Sequence, residues 1–106
     1  MQSNNTALDM LAERTLDGDN AAYNQLLGQI GPTLQKYFVR QFRLPSATAD
    51  DLAQDTLLAL HTKFHTFKRG NAFAPWLYAI AKYRALDYLR ATKRRTAATE
   101  VPLDDT

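Results

Sequence analysis

Apolar residues recur at spacings of three and four along most of the chain, the pattern of amphipathic helices that bury one face. A first helix is predicted over about residues 6–16, and a second over about 20–42 with Asp19 or Asn20 as its cap. Alternating runs of β-branched residues, the mark of strands, are missing from the sequence. The pattern therefore predicts an all-α fold, a compact bundle of about four helices.

Glycine and proline mark where the helices should bend or end. Gly31 and Pro32 predict a kink or short break in the second helix, because proline removes a backbone donor and clashes with the preceding turn. A third helix is predicted to follow Pro45, with Ser46 or Thr48 as its N-terminal cap. Its outward face is acidic and carries a single leucine.

The second half of the chain is predicted to hold a loop, a fourth helix and a tail. Helical periodicity lapses over residues 65–70, which predicts a basic loop. Asn71 is the predicted cap of the fourth helix, in which Phe73 and Trp76 lie at least partly in the core. We expect residues 1–95 to form one domain, and residues 96–106 to be a flexible linker.

Composition narrows the class of protein. The chain has 106 residues, 45% of them hydrophobic, which fits one small folded domain. Cysteine is absent, so the sequence offers neither a disulfide nor a thiolate metal site. The N-terminal residues lack the basic and apolar regions of a signal peptide, and we therefore expect a cytoplasmic protein.

Charge is distributed unevenly along the chain. Residues 61–95 carry nine Lys and Arg against one Asp, whereas residues 1–60 carry four against seven acidic residues. Seven aromatic residues are interleaved with the cations of the basic segment. Cations neutralise phosphates and aromatic faces stack on unpaired bases, so this mixture favours a nucleic-acid partner, above all a single-stranded one. The competing interpretation is a solvated basic helix whose aromatic residues belong to the core.

Two groups of polar residues are candidates for a chemical site. His61 and His65 stand four apart, as zinc ligands on a helix do, but a catalytic glutamate and a third ligand are missing from their neighbourhood in the sequence. The carboxylates of residues 50–55 are explained more simply as partners of a helix N-terminus or as a protein-docking face. We therefore expect no catalytic residues, metal or cofactor.

Three stretches resemble a known protein family. ADDLAQDTLLALHTKF, FKRGNAF and WLYAIAKYRALDYLRATKRR occur in the order and spacing of the second region of extracytoplasmic-function sigma factors, and GDNAAYNQLLGQIGPTLQKYFVRQF resembles their first helical part. The resemblance covers about residues 8–95. It implies a sigma-70 region 2 fold and a transcription initiation factor that binds core RNA polymerase and promoter DNA.

The resemblance also implies roles for particular residues. In such sigma factors, the acidic face of the third helix docks on the basic clamp helices of the polymerase largest subunit. The matching residues here are Asp51, Gln54, Asp55 and Leu58.

On the DNA side, the family's loop after this helix captures a base flipped from the non-template strand of the minus-ten element, and the next helix lies against the opening DNA. The matching loop residues are Lys68, Arg69, Gly70, Asn71 and Ala72, and the matching helix residues are Lys82, Tyr83, Arg84, Asp87, Arg90, Lys93 and Arg94.

The chain departs from the family pattern in two respects. Many relatives carry Asn where Tyr83 stands, so their base preference does not transfer and Tyr83 is expected to stack instead. Full sigma factors of this group continue into a C-terminal region 4 domain that reads the minus-thirty-five element, whereas this chain ends at Thr106. We therefore expect an excised fragment, with a naturally short paralogue as the alternative.

Other partners and other functions stay open from the sequence. The family implies an anti-sigma factor, in many members anchored in the membrane, and we expect this chain to be a monomer. One alternative function is a helical protein-interaction module that binds an anti-sigma factor without reading DNA. Another is a basic amphipathic helix on anionic membrane, which the need to bury the aromatic face of the fourth helix disfavours.

Overall fold

The computed structural model describes the backbone of residues 2–104 and the side chains of residues 6–96. Its helices are α1 (Gln2–Leu16), α2 (Asn20–Phe42), α3 (Ser46–Lys63) and α4 (Phe73–Asp104), with a short 3-10 turn, Phe64–Thr66, after α3. In the described part of the chain these helices form a bundle without strands, so the predicted all-α architecture is confirmed. Helices α2 and α4 each pack on all three other helices, and α2 makes its most extensive contacts with α3 and α1.

The core is built from the apolar faces that the sequence predicts. Leu11 and Ala12 of α1 meet the stripe of α2 that carries Leu26, Ile30 and Leu34, all of them buried. The remaining core residues come mainly from the inward faces of α3 and α4: Leu52, Ala53, Leu60, Phe73, Leu77, Ala81 and Ala85.

Helix α2 begins as predicted but is not broken where the sequence suggested. Asp19 caps it, with the Oδ1 atom accepting from the backbone N–H of Ala22 at 3.1 Å. The helix then runs continuously past Pro32. Pro32 and Gly28, whose carbonyl a proline at this position deprives of its donor, are both exposed, so water can satisfy that carbonyl.

The predicted caps of the next two helices are wrong. Pro45 occupies the N-cap of α3, where no side chain caps the helix, and the Ser46 hydroxyl instead accepts from the Gln35 amide nitrogen at 3.2 Å. At the start of α4, Asp9 of α1 accepts from the Phe73 N–H at 2.8 Å, the task that the sequence assigned to Asn71. Asp9 lies 64 residues before Phe73 in the sequence, so no local pattern predicts this contact.

Two helix ends also differ from expectation. Helix α1 begins at Gln2 rather than near Thr6, and α4 continues to Asp104, past the expected linker boundary at residue 95. The stretch after Arg95 includes two alanines and a glutamate, both good helix formers, and holds no glycine to end the helix. The predicted linker is therefore helical through residue 104.

Two leucines on opposite faces of α3 test this packing. Leu60 is fully buried, whereas Leu58 is 69% exposed. We expect Leu60→Ala to lower the free energy of unfolding by about 2–5 kcal/mol, since it leaves a cavity in the core. Leu58→Ala, the matched control, should change it by less than about 0.5 kcal/mol. Urea unfolding followed by circular dichroism measures both, and equal losses would contradict the assignment of faces.

Candidate nucleic-acid interface

The loop between α3 and α4, residues 68–72, stands out from the bundle between two buried aromatic rings. Phe67 before it is 4% exposed and Phe73 after it is fully buried, and their ring centroids lie 5.5 Å apart in edge-to-face contact. All five loop residues are exposed. The loop is therefore a short excursion whose two ends are fixed by the core.

The path of the loop depends on a tight turn. The Asn71 N–H donates to the carbonyl of Lys68 at 3.1 Å, which closes the turn. Gly70 within it has φ +92°, a left-handed conformation that side chains disfavour. Glycine is thus required for the conformation of the loop, and the sequence-predicted residues Lys68–Ala72 do lie together on one exposed projection.

Two carboxylates of α1 and one in the turn after it contact this loop or the first residue of α4, and the sequence analysis missed their role. Asp9 accepts from the Phe73 N–H, and Glu13 accepts from the Gly70 N–H at 3.2 Å. Asp17 and Glu13 also form ion pairs with Arg69, at 2.5 and 3.8 Å. The available signal was their spacing of four residues, which puts Asp9 and Glu13 on one face of α1 and Asp17, in the turn just after the helix, on the same side.

Helix α4 carries the other sequence-predicted DNA residues on its solvent side. Tyr83, Asp87, Arg90 and Arg94 follow one another at helical spacing, and Arg90 pairs with Asp87 at 2.7 Å. Lys82, Lys93 and these four residues are exposed, whereas Arg84 is half-buried. Apart from Arg84, the predicted residues of α4 are thus available to a partner.

An open groove of about 340 Å³ runs along α4 towards the end of α3. Its apolar and aromatic lining includes Trp76 and Tyr83, and the Trp76 indole N–H donates to the Thr66 hydroxyl at 3.1 Å. Tyr83 is 66% exposed, so one ring face is open to a stacking partner. Lys63, which the sequence analysis did not select, supplies a cation at the rim.

The predicted protein-docking residues share the outward face of α3, away from its buried leucines. Asp51, Gln54, Asp55 and Leu58 are all exposed, and Leu58 is a large apolar side chain surrounded by polar ones. The carboxylate of Asp55 lies 3.7 Å from the guanidinium of Arg84 on α4. The acidic face of α3 and the basic face of α4 therefore meet at this ion pair.

Both histidines make hydrogen-bonding contacts within the bundle. The Nδ1 atom of His61 lies 2.7 Å from the hydroxyl of Tyr23, and burial raises the pKa of that tyrosine above its ordinary value. His65 places its Nδ1 atom 3.1 Å from the carbonyl of Thr62. Across the described residues, histidines and carboxylates do not gather into a group that could hold a metal ion.

None of the helices, as far as they are described, is both long and apolar enough to cross a bilayer.

Comparison with known proteins finds the same family in sequence and in structure. The Sigma-70 region 2 family matches residues 26–95. The ECF RNA polymerase sigma factor SigF of Caulobacter vibrioides is 38% identical over 105 residues, which cover 99% of this chain and 57% of that protein. The ECF RNA polymerase sigma-E factor of Escherichia coli K12 is 30% identical over 92 residues, covering 87% of this chain and 47% of the relative.

A solved structure has the same fold. The NMR structure of an engineered region 2 of sigmaE in complex with GTAAAA superposes with a TM-score of 0.71 and 30% identity, over 83% of this chain and 90% of that one. The chain spans about half the length of the curated relatives it matches. Sigma factors are non-catalytic transcription initiation factors. The matched family, the helical fold and these relatives together show that the chain belongs to the sigma-70 region 2 family, among sigma factors of the extracytoplasmic-function group.

Proposed function

We propose that this chain is a promoter-recognition domain that docks on core RNA polymerase and melts the minus-ten element by capturing a flipped non-template base. The observation that carries the proposal is the exposed loop Lys68–Ala72, held between two buried rings and followed by a cationic, aromatic helix. The related engineered region 2 of sigmaE, in complex with GTAAAA, supports the same kind of ligand here.

The groove beside α4 offers a reason for preferring unpaired bases. A base held in a duplex hides both of its faces by stacking, whereas a flipped base exposes them to Tyr83 and Trp76. The exposed cations Lys82, Arg90 and Lys93 can meet phosphates whatever the sequence. Binding the open strand better than the duplex shifts DNA towards the open state, so melting is a population shift that needs no covalent step.

The loop and α4 would divide the work of recognition. Gly70, Asn71 and Ala72 present a small, mainly backbone surface that fits close to an extruded base. Lys68 extends a cation from the same turn, and Asp87, paired with Arg90, adds an acceptor on α4. Arg94 continues the basic face towards the C-terminal end of the helix.

The outward face of α3 is proposed to dock on the clamp helices of the polymerase largest subunit. Asp51 and Asp55 suit a basic contact surface, and Gln54 adds hydrogen-bonding groups. Leu58 supplies the apolar anchor that such interfaces bury at their centre. An anti-sigma factor that covers this face or the basic face would block initiation, and we propose such a protein as a further partner.

Single-stranded DNA binding tests the proposal most directly. We expect a fluorescent oligonucleotide containing GTAAAA to bind more tightly as a single strand than as a duplex, measured by anisotropy over a salt series. Tyr83→Ala should weaken binding by about 1–3 kcal/mol through lost stacking. Lys68→Ala should reduce the slope of log K against log salt by about 0.7, the loss of one phosphate contact.

The control for this experiment is Lys36→Ala, which removes an exposed cation from α2 and should leave the preference intact. Equal, steeply salt-dependent binding to single strand and duplex would count against base capture. In that case a protein-interaction module with a solvated basic face would explain the chain better.

Polymerase docking is tested with a soluble fragment that contains the clamp helices. Leu58→Ala should weaken its binding by at least about 1 kcal/mol, because an interface anchor is lost. Calorimetric titration measures the change. Met10→Ala, which truncates another exposed apolar side chain on α1, is the matched control and should bind like the unmodified protein. If Leu58→Ala and Met10→Ala change the affinity for the fragment equally, the outward face of α3 is not the docking face.

A further inference from the structure

An acidic strip, made of Asp9 and Glu13 on α1 and Asp17 in the turn that follows it, lies against the proposed base-capture loop, residues 68–72. The three residues follow one another at four-residue intervals, so their carboxylates lie on one side of α1. Carboxylates beside a phosphate-binding loop oppose the binding of DNA through charge repulsion. Carboxylates that weaken DNA binding at this position must have another role that offsets the repulsion. Their hydrogen bonds and ion pairs indicate that they hold the loop in place.

Two of these carboxylates hold the backbone of the loop and of the helix that follows. Asp9 accepts from the N–H of Phe73 at 2.8 Å, at the first turn of α4, where the positive end of the helix dipole favours an anion. Glu13 accepts from the N–H of Gly70 at 3.2 Å, at the residue with left-handed backbone. Hydrogen bonds to an ionised acceptor are stronger than neutral ones.

The third contact engages the side chain of Arg69. Its guanidinium lies 2.5 Å from a carboxylate oxygen of Asp17 and 3.8 Å from one of Glu13. A single exposed ion pair contributes little to stability. Here the Glu13 carboxylate contacts both the Arg69 side chain and the Gly70 backbone, so Glu13, Asp17, Arg69 and Gly70 form one network.

We propose that this acidic strip positions the base-capture loop, and that Arg69 is a positioning residue clamped to Asp17 and Glu13 instead of a cation offered to phosphate. This inference rests on the proposed function and assigns Arg69 a different task from the DNA contact implied by the family resemblance. A loop ordered before it meets DNA loses less conformational freedom on binding, which offsets the repulsion by the carboxylates.

A charge swap separates a clamp from a DNA contact. Arg69→Asp alone should weaken binding of the GTAAAA single strand by about tenfold, because it removes the clamp and adds a carboxylate beside the strip. The double variant Asp17→Arg, Arg69→Asp restores the pair in reverse, and the arginine at position 17 then follows Glu13 by four residues, close enough to pair with it as well. We expect the double variant to bind within about threefold of the unmodified chain, despite the acidic residue in its loop.

The matched control combines Asp17→Arg with Lys36→Asp, which has the same net charge as the swap but sets Arg69 beside a second arginine. It should bind weakly, because restoring the net charge does not rebuild the clamp. If the swap is as weak as Arg69→Asp by itself while its circular dichroism is unchanged, the inference is overturned and Arg69 acts on DNA as a cation.

Amide NMR of the free protein tests the clamp without DNA. The Gly70 amide resonance should move in Glu13→Ala, which removes its acceptor, and in Asp17→Ala, which releases the Arg69 side chain, although neither residue neighbours Gly70 in the sequence. An unmoved resonance in both single variants would refute the clamp even if DNA binding changed. Conversely, the resonance could move as expected in a chain that shows no preference for single-stranded DNA. In that case the clamp would stand and the proposed function would be rejected.

Discussion

Burial of two aromatic rings on either side of a five-residue loop is the constraint on which the proposed site depends. Phe67 and Phe73 pack edge to face in the core, with Phe64 and Trp76 against them, so the chain must leave and re-enter the bundle at nearly the same point. The intervening residues cannot reach the core and are all exposed. Core packing thus presents the loop to solvent at the start of α4.

Electrostatics then decide how that loop is held and what surrounds it. The acidic strip contacts the loop from the side of the bundle, while the cations of α4 face outward. A second contact between opposite charges, Asp55 with Arg84, joins the outward face of α3 to α4. Polymerase docking and DNA binding are therefore proposed on adjoining faces of one rigid core, so that a domain held on the polymerase would also present its DNA-binding surface.

Sequence patterns predicted the helices and their buried faces, and failed where a partner came from elsewhere in the chain. The stripe Leu26, Ile30 and Leu34 follows directly from helical periodicity. By contrast, Asn71 has the local chemistry of a cap, yet Asp9 takes that role because the packing of α1 on α4 brings its carboxylate to the N–H of Phe73. The four-residue spacing of the acidic strip is visible in the sequence, but the residues that it contacts are not.

Local patterns along the chain specify the helical class, the inward faces, the concentration of cations after residue 60 and the exposed leucine of α3, because each depends on neighbours within a few residues. Long-range packing was needed to show that Pro32 leaves α2 unbroken and that Arg69 turns towards Glu13 and Asp17. The first depends on which side of the helix meets water. The second depends on two segments 52 residues apart that are brought together by burial of rings and leucines elsewhere in the core.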